Sequence, residues 1–205
     1  MNSQYFYFVV ILLCFLSCKQ EKSQLEIAKD QLPGTYFELK KDNIKLFLPV
    51  YFQEFSKESY KELIDMLPDS KEKTIEKNRF NYLKFSKGNT YYFRDIASST
   101  LINVKMTKFM DFSKKESSYL LGILSNSCSK YASILQANCK KITAGYSGNI
   151  KTKVFKVVYE LSKKDTYKAY NTIYLVTSNH KTFSINIFSN NNKDYNKFIE
   201  KIIVK

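Results

Sequence analysis

The chain has 205 residues and a formal net charge of +14, from 33 Lys and Arg against 19 Asp and Glu. Arginine occurs only at Arg79 and Arg94, so the excess is point-like lysine charge. Bidentate phosphate and base recognition favours the planar arginine fork, and nucleic acid is therefore not an expected partner. Five scattered glycines, one histidine and four cysteines exclude a Gly-rich phosphate loop and a short-spaced zinc site, and no cofactor is expected.

The first element is an uncharged apolar run, Tyr5 to Leu16. It has the length of a secretory signal core and falls short of the roughly 20 residues a membrane-spanning helix needs. The small Ser17 comes next, then Cys18; Cys14 is a poorer candidate, because the bulky Leu13 precedes it. This ending resembles a bacterial lipoprotein signal. The resemblance implies that residues 1–17 are a signal peptide and that Cys18 is the lipidation site of the mature chain. Residues 1–17 carry no charged side chain, and Phe15 stands where that family usually has Leu. An ordinary cleaved secretory signal and a retained anchor helix are the alternatives. Several acyl chains on Cys18 would hold the protein on a membrane of the cell envelope, since each buried methylene contributes about 0.8 kcal/mol. Residues 18–34 are polar and end in Pro33-Gly34, which reads as a tether. No low-complexity linker divides residues 35–205, which are expected to form a single domain.

Tyr36 to Leu39 and the period-two Ile44, Leu46 and Leu48 read as a β-hairpin. A helix opens at Ser56, with Tyr60, Leu63, Ile64 and Leu67 at helical spacing, and Pro68 stops it. Residues 70–84 form a second, charged helix. Strands are expected at Tyr91 to Ile96 and Leu101 to Phe109, the latter alternating Ile102, Val104 and Met106 with Asn103, Lys105 and Thr107. Ser113-Lys114-Lys115-Glu116 is a capping box before the longest helix, whose apolar face is Leu120, Leu124, Cys128, Tyr131 and Leu135. Ile142 to Tyr146, Val154 to Leu161, Thr166 to Thr177 and Thr182 to Phe188 then read as strands, the last three as a meander. The chain closes with an amphipathic helix capped by Asn191, with Tyr195, Phe198, Ile199 and Ile202 on its apolar face.

The expected class is α+β, a mainly antiparallel sheet with packed helices. The layout resembles the Mog1/PsbP-like fold. The features that carry this are the strand ending Leu46-Phe47-Leu48-Pro49, the long central helix, the meander, and Thr182-Phe183-Ser184-Ile185-Asn186-Ile187-Phe188 running into a terminal helix. The resemblance implies an α/β/α sandwich over about Tyr36 to Lys205 and a non-catalytic binding or assembly module. It carries over no functional residue.

Cys128 and Cys139 are the remaining cysteines of the domain. On one continuous helix they would stand about 16 Å apart, beyond the roughly 4.4–6.8 Å a disulfide tolerates. Free and buried is the favoured reading; a disulfide requires the helix to break between them. His180 lies in a predicted turn between Asn179 and Lys181, with nothing in the spacing to pair it with a nucleophilic cysteine. Asp95 and Glu160 fall inside strands and are the acids to inspect for a raised pKa in a cleft. No catalytic or metal-ligating residue is assigned, and an enzyme is not expected.

Two functions remain. One is a lipid-anchored envelope module that binds a protein partner, which requires an exposed apolar or aromatic patch. The other is a binder of an anionic polymer or lipid surface, which requires lysines gathered on one face.

Overall fold

The computed structural model describes residues 32–85, 87–163 and 167–205. The signal peptide, Cys18 and the tether up to residue 31 lie outside the described residues, as does Thr166.

Strands β1 (Gly34–Leu39) and β2 (Ile44–Pro49) form the expected antiparallel hairpin, closed by the turn Lys40–Asp42 with Asn43 in the left-handed region. Among the described residues, three of the four α-helices follow the sequence signals. In α1 (Lys57–Met66) the Ser56 hydroxyl accepts the Ser59 amide at 3.0 Å, and Tyr60 and Ile64 are buried. Helix α2 is Lys71–Phe85. The capping box forms as written, with Ser113 N donating to the Glu116 carboxylate at 2.7 Å, and leads into α3 (Ser117–Leu135).

The remaining strands are β3 (Gln53–Phe55), β4 (Thr90–Asp95), β5 (Thr100–Thr107), β6 (Asn138–Gly148), β7 (Thr152–Lys163), β8 (Tyr167–Ser178) and β9 (Lys181–Ser189). They make a seven-stranded sheet in the order β3-β4-β5-β9-β8-β7-β6, antiparallel at every pairing. Period two sets its two faces. Phe155, Val157, Tyr159, Leu161 and Ile173 point to one face, where Leu120, Cys128 and Ala132 of α3 cover them. On the same face, near the other edge, Tyr92 packs with Tyr60, Ile64 and Phe80 of α1 and α2.

The opposite face is covered mainly by a second sheet. Phe37 of β1 meets Phe93 edge-on with ring centroids 5.0 Å apart, and Lys156 of β7 reaches Asp194 at 2.8 Å. The α/β/α expectation is corrected here in its second layer. The terminal helix that should have formed that layer is one turn, α4 (Asn196–Ile199), and the chain then pairs with β2 as β10 (Ile203–Val204). Asn191 does not cap it; Tyr195 occupies the cap position. Tyr195, Phe198 and Ile199 are nevertheless buried, as their spacing requires, while Ile202 is half-exposed.

The cysteines also depart from the favoured reading. Helix α3 stops at Leu135 because Gln136 turns left-handed, with its amide on the Ala132 and Ser133 carbonyls. Cys139 then begins β6, returning beside the helix, and its Cα lies 6.1 Å from that of Cys128. The two are disulfide-bonded, not free, because the helix breaks between them.

Candidate binding surfaces

The acids singled out in the strands are ordinary structural groups. Asp95 is buried at the end of β4, where its carboxylate accepts from Ser98 Oγ and, at 3.0 Å, from the Ala97 amide. The Ser98 bond chiefly holds its pKa below the usual carboxylate range. Glu160 pairs with Lys168 at 3.0 Å, and that hydrogen bond lowers its pKa too. A general acid in a cleft would show the opposite shift. His180 sits at the tip of the β8–β9 turn at φ 57°, next to Asn179 at φ 44°. Two consecutive positive φ values suit a tight hairpin turn that follows the strand twist. Among the described residues no three of His, Cys, Asp and Glu gather where a metal could be held, and no helix is long and apolar enough to cross a membrane.

Two of the exposed concave surfaces bear on binding instead. The first lies at the end of the sheet where the β8–β9 turn, the loop after β5, the β6–β7 turn and β10 meet. It is a shallow cleft of about 700 Å³ lined by Phe109, Ile150, His180 and Ile203. Its apolar side chains stand in solvent: Ile150 is 98% exposed and Phe109 48%. They are also held firmly. The Met110 amide donates to Thr182 Oγ1 at 2.9 Å, and Thr177 Oγ1 donates to the Met110 carbonyl at 2.9 Å. Asn149 Oδ1 accepts the Lys151 and Thr152 amides at 2.8 and 2.9 Å, which fixes the turn that presents Ile150. The Phe109 ring lies 5.7 Å from the His180 ring.

Sequence reasoning misses this surface. Alternation carries the fifth strand on to Phe109, whereas β5 ends at Thr107. The one available signal is Ile150, an isoleucine in the otherwise polar turn Gly148-Asn149-Ile150-Lys151.

The second surface is a cleft of about 500 Å³ between the β1–β2 turn, the start of α1 and the end of α2. Lys40, Lys41, Lys57 and Lys84 line it, together with Glu38 and Glu54. Glu38 is engaged by Lys45 at 2.7 Å. Beneath it, Lys105 is buried and donates to the Gly88 carbonyl at 2.7 Å and the Leu83 carbonyl at 3.4 Å. It thereby satisfies a carbonyl of the last turn of α2. Burial, and then the charge of Lys57, lower the Lys105 pKa.

No protein-family model matches the chain, and no curated protein matches it. Solved structures do. The cyanobacterial PsbP protein CyanoP from Synechocystis sp. PCC 6803 superposes with a TM-score of 0.55 at 10% identity, covering 85% of this chain and 94% of that one. The Ran-binding protein Mog1p of Saccharomyces cerevisiae is also similar, at a TM-score of 0.47 and 10% identity over 85% of this chain and 96% of that one. The superposition on CyanoP shows an α+β, PsbP-like fold, which the sequence layout resembles.

Proposed function

We propose that this protein is a non-catalytic binding module of the bacterial cell envelope, anchored by lipid at Cys18, and that it engages a protein partner through the apolar end of its sheet. The observation that carries this reading is the set of exposed apolar side chains on a rigid frame. Phe109 and Ile150 stand out from loops that threonine and asparagine side chains pin at hydrogen-bond distance, and Ile203 stands out from strand β10. Pre-organised apolar groups bind with little ordering cost, and interface cores are depleted of charge. The tether reading of residues 18–34 fits, because the 15 residues between Cys18 and β1 would reach at most about 50 Å if extended and leave the domain free to meet a partner near the membrane.

A photo-crosslinking amino acid at Ile150, in the full-length chain in its native membrane, tests the surface. A discrete adduct with another envelope protein is expected, and it should weaken when Phe109 is changed to Ser. The same adduct pattern from the exposed Ser59 on α1 would remove the proposal. Anchoring is tested separately: Cys18→Ala should leave the membrane fraction or remain unprocessed, and intact mass should show acyl groups on native Cys18.

A further inference from the structure

The sheet's two edges are treated very differently by the sequence. At one edge β3 is three residues long and carries Glu54 at its centre, a short, charged edge of the kind that resists further pairing. At the other, β6 is eleven residues long and, among the described residues, pairs only with β7. Lys140, Lys141 and a register shift between Lys141 and Thr143 protect its first third. Beyond them, nine residues from Ile142 to Ile150 carry no charge. Helix α3 lies beside this edge, tied to it by the Cys128–Cys139 bridge. Its 19 residues contain a single charge, Lys130, although the chain carries 33 Lys and Arg. Its outer side exposes Tyr119 at 70%, Ile123 at 46% and Ile134 at 50%.

We infer that β6 is a homodimer edge, where a second copy of this chain pairs antiparallel through residues 142–148 and continues the sheet. Charge selects this occupant, and side-chain size its register. Two copies at +14 repel, so they can meet closely only where neither carries charge. If Gly145 lies on the twofold axis, each residue faces the one equidistant from 145 on the other strand. Lys140 and Lys141 lie beyond the register shift, outside the paired stretch 142–148, so no like-charge pair arises within it. With Gly145 on the axis, Ala144 faces Tyr146, small against large, and Thr143 faces Ser147. The axis position itself is open: a Cβ added at Gly145 meets nothing within 4 Å. Ala144 and Tyr146 lie on the face that α3 covers. The same axis therefore brings the two α3 helices alongside each other, each carrying Lys130 as its single charge. Such a pairing is isologous, as twofold dimers require.

Gly145→Cys in the full-length chain, oxidised in membranes, tests the register. Facing residues place Cβ atoms about 4.5–5.5 Å apart, close enough for a bridge after small adjustment. A dimer-sized band above the parent-chain background is expected, with none from Ser59→Cys. Sedimentation of the detergent-solubilised chain gives the energetics. Dimerisation should strengthen as salt rises, because salt screens the repulsion between copies and leaves apolar and backbone contacts intact. The double variant Thr143→Lys, Ser147→Lys sets lysines opposite lysines and should raise the dissociation constant more than tenfold with its melting temperature retained. A monomer at every concentration and salt, no cross-link above background from the Gly145→Cys chain, or a dimer indifferent to the two lysines would each overturn the inference.

Discussion

At the residue scale, polar side chains in this domain serve the backbone. Asp95 holds the turn after β4 through Ser98 and the Ala97 amide. Its pKa is lowered on folding, so its contribution to stability is present above the unfolded value of about 3.9 and is lost as pH falls through the folded value. Asp95→Asn should therefore destabilise the protein at neutral pH, and the gap to the parent should close in acid. Urea midpoints at pH 7 and pH 3 check this; a gap that widens in acid would contradict it. Phe198 is the apolar counterpart. It is 6% exposed, with its ring 5.9 Å from Phe47 and 6.1 Å from Tyr195. Phe198→Ala should cost about 3–5 kcal/mol in a denaturation experiment. An unchanged midpoint would show that the one-turn α4 contributes nothing to the core.

At the element scale, the legible part of the sequence is what periodicity writes. The β1–β2 hairpin, the capped start of α3 and the β7–β8–β9 meander all follow from spacing and turn residues. Element ends are harder, because the signals there are atypical. Helix α3 stops at Gln136, at φ 55°, where glycine or asparagine usually marks a left-handed cap. Without that stop, Cys139 looks like a helical residue, and distance alone disfavours the disulfide. The terminal segment misleads for a different reason. The spacing of Tyr195, Phe198 and Ile199 does mark a buried face, but one helical turn followed by a strand buries the same three residues. Only the tertiary pairing of Ile203 with Lys45 decides between them. The surface at Phe109 and Ile150 is illegible because it joins segments distant in sequence. The bridge makes a prediction at this scale. It closes a loop of 11 residues, for which chain entropy gives roughly 2–3 kcal/mol. Replacing both cysteines by alanine should lower stability by about that amount, and reductant should do the same to the parent while leaving the double variant unmoved.

At the scale of the whole molecule, the question is whether the charge of +14 is itself the binding determinant. Some of the lysine is paired with acid: Lys61 with Asp65, Lys73 with Asp69, Lys156 with Asp194 and Lys168 with Glu160. Around the second cleft Lys40, Lys41, Lys57 and Lys84 do gather, but Glu38 and Glu54 line the same walls. A mixed wall attracts polyanions less than its lysine count implies, and exposed charges are screened over about 8 Å at physiological ionic strength. Lysine also offers point charges, so any retention should be broad and salt-sensitive. We therefore expect the domain lacking residues 1–18 to elute from heparin, or from an anionic phospholipid surface, at the same salt as an unrelated protein of equal net charge. Changing the four cleft lysines to glutamine should shift elution no more than changing four exposed lysines elsewhere. Retention well beyond the control that collapses only with the cleft variant would move the function from a protein partner to an anionic one. The apolar end at Ile150 would then need another explanation, since contacts of that kind survive added salt.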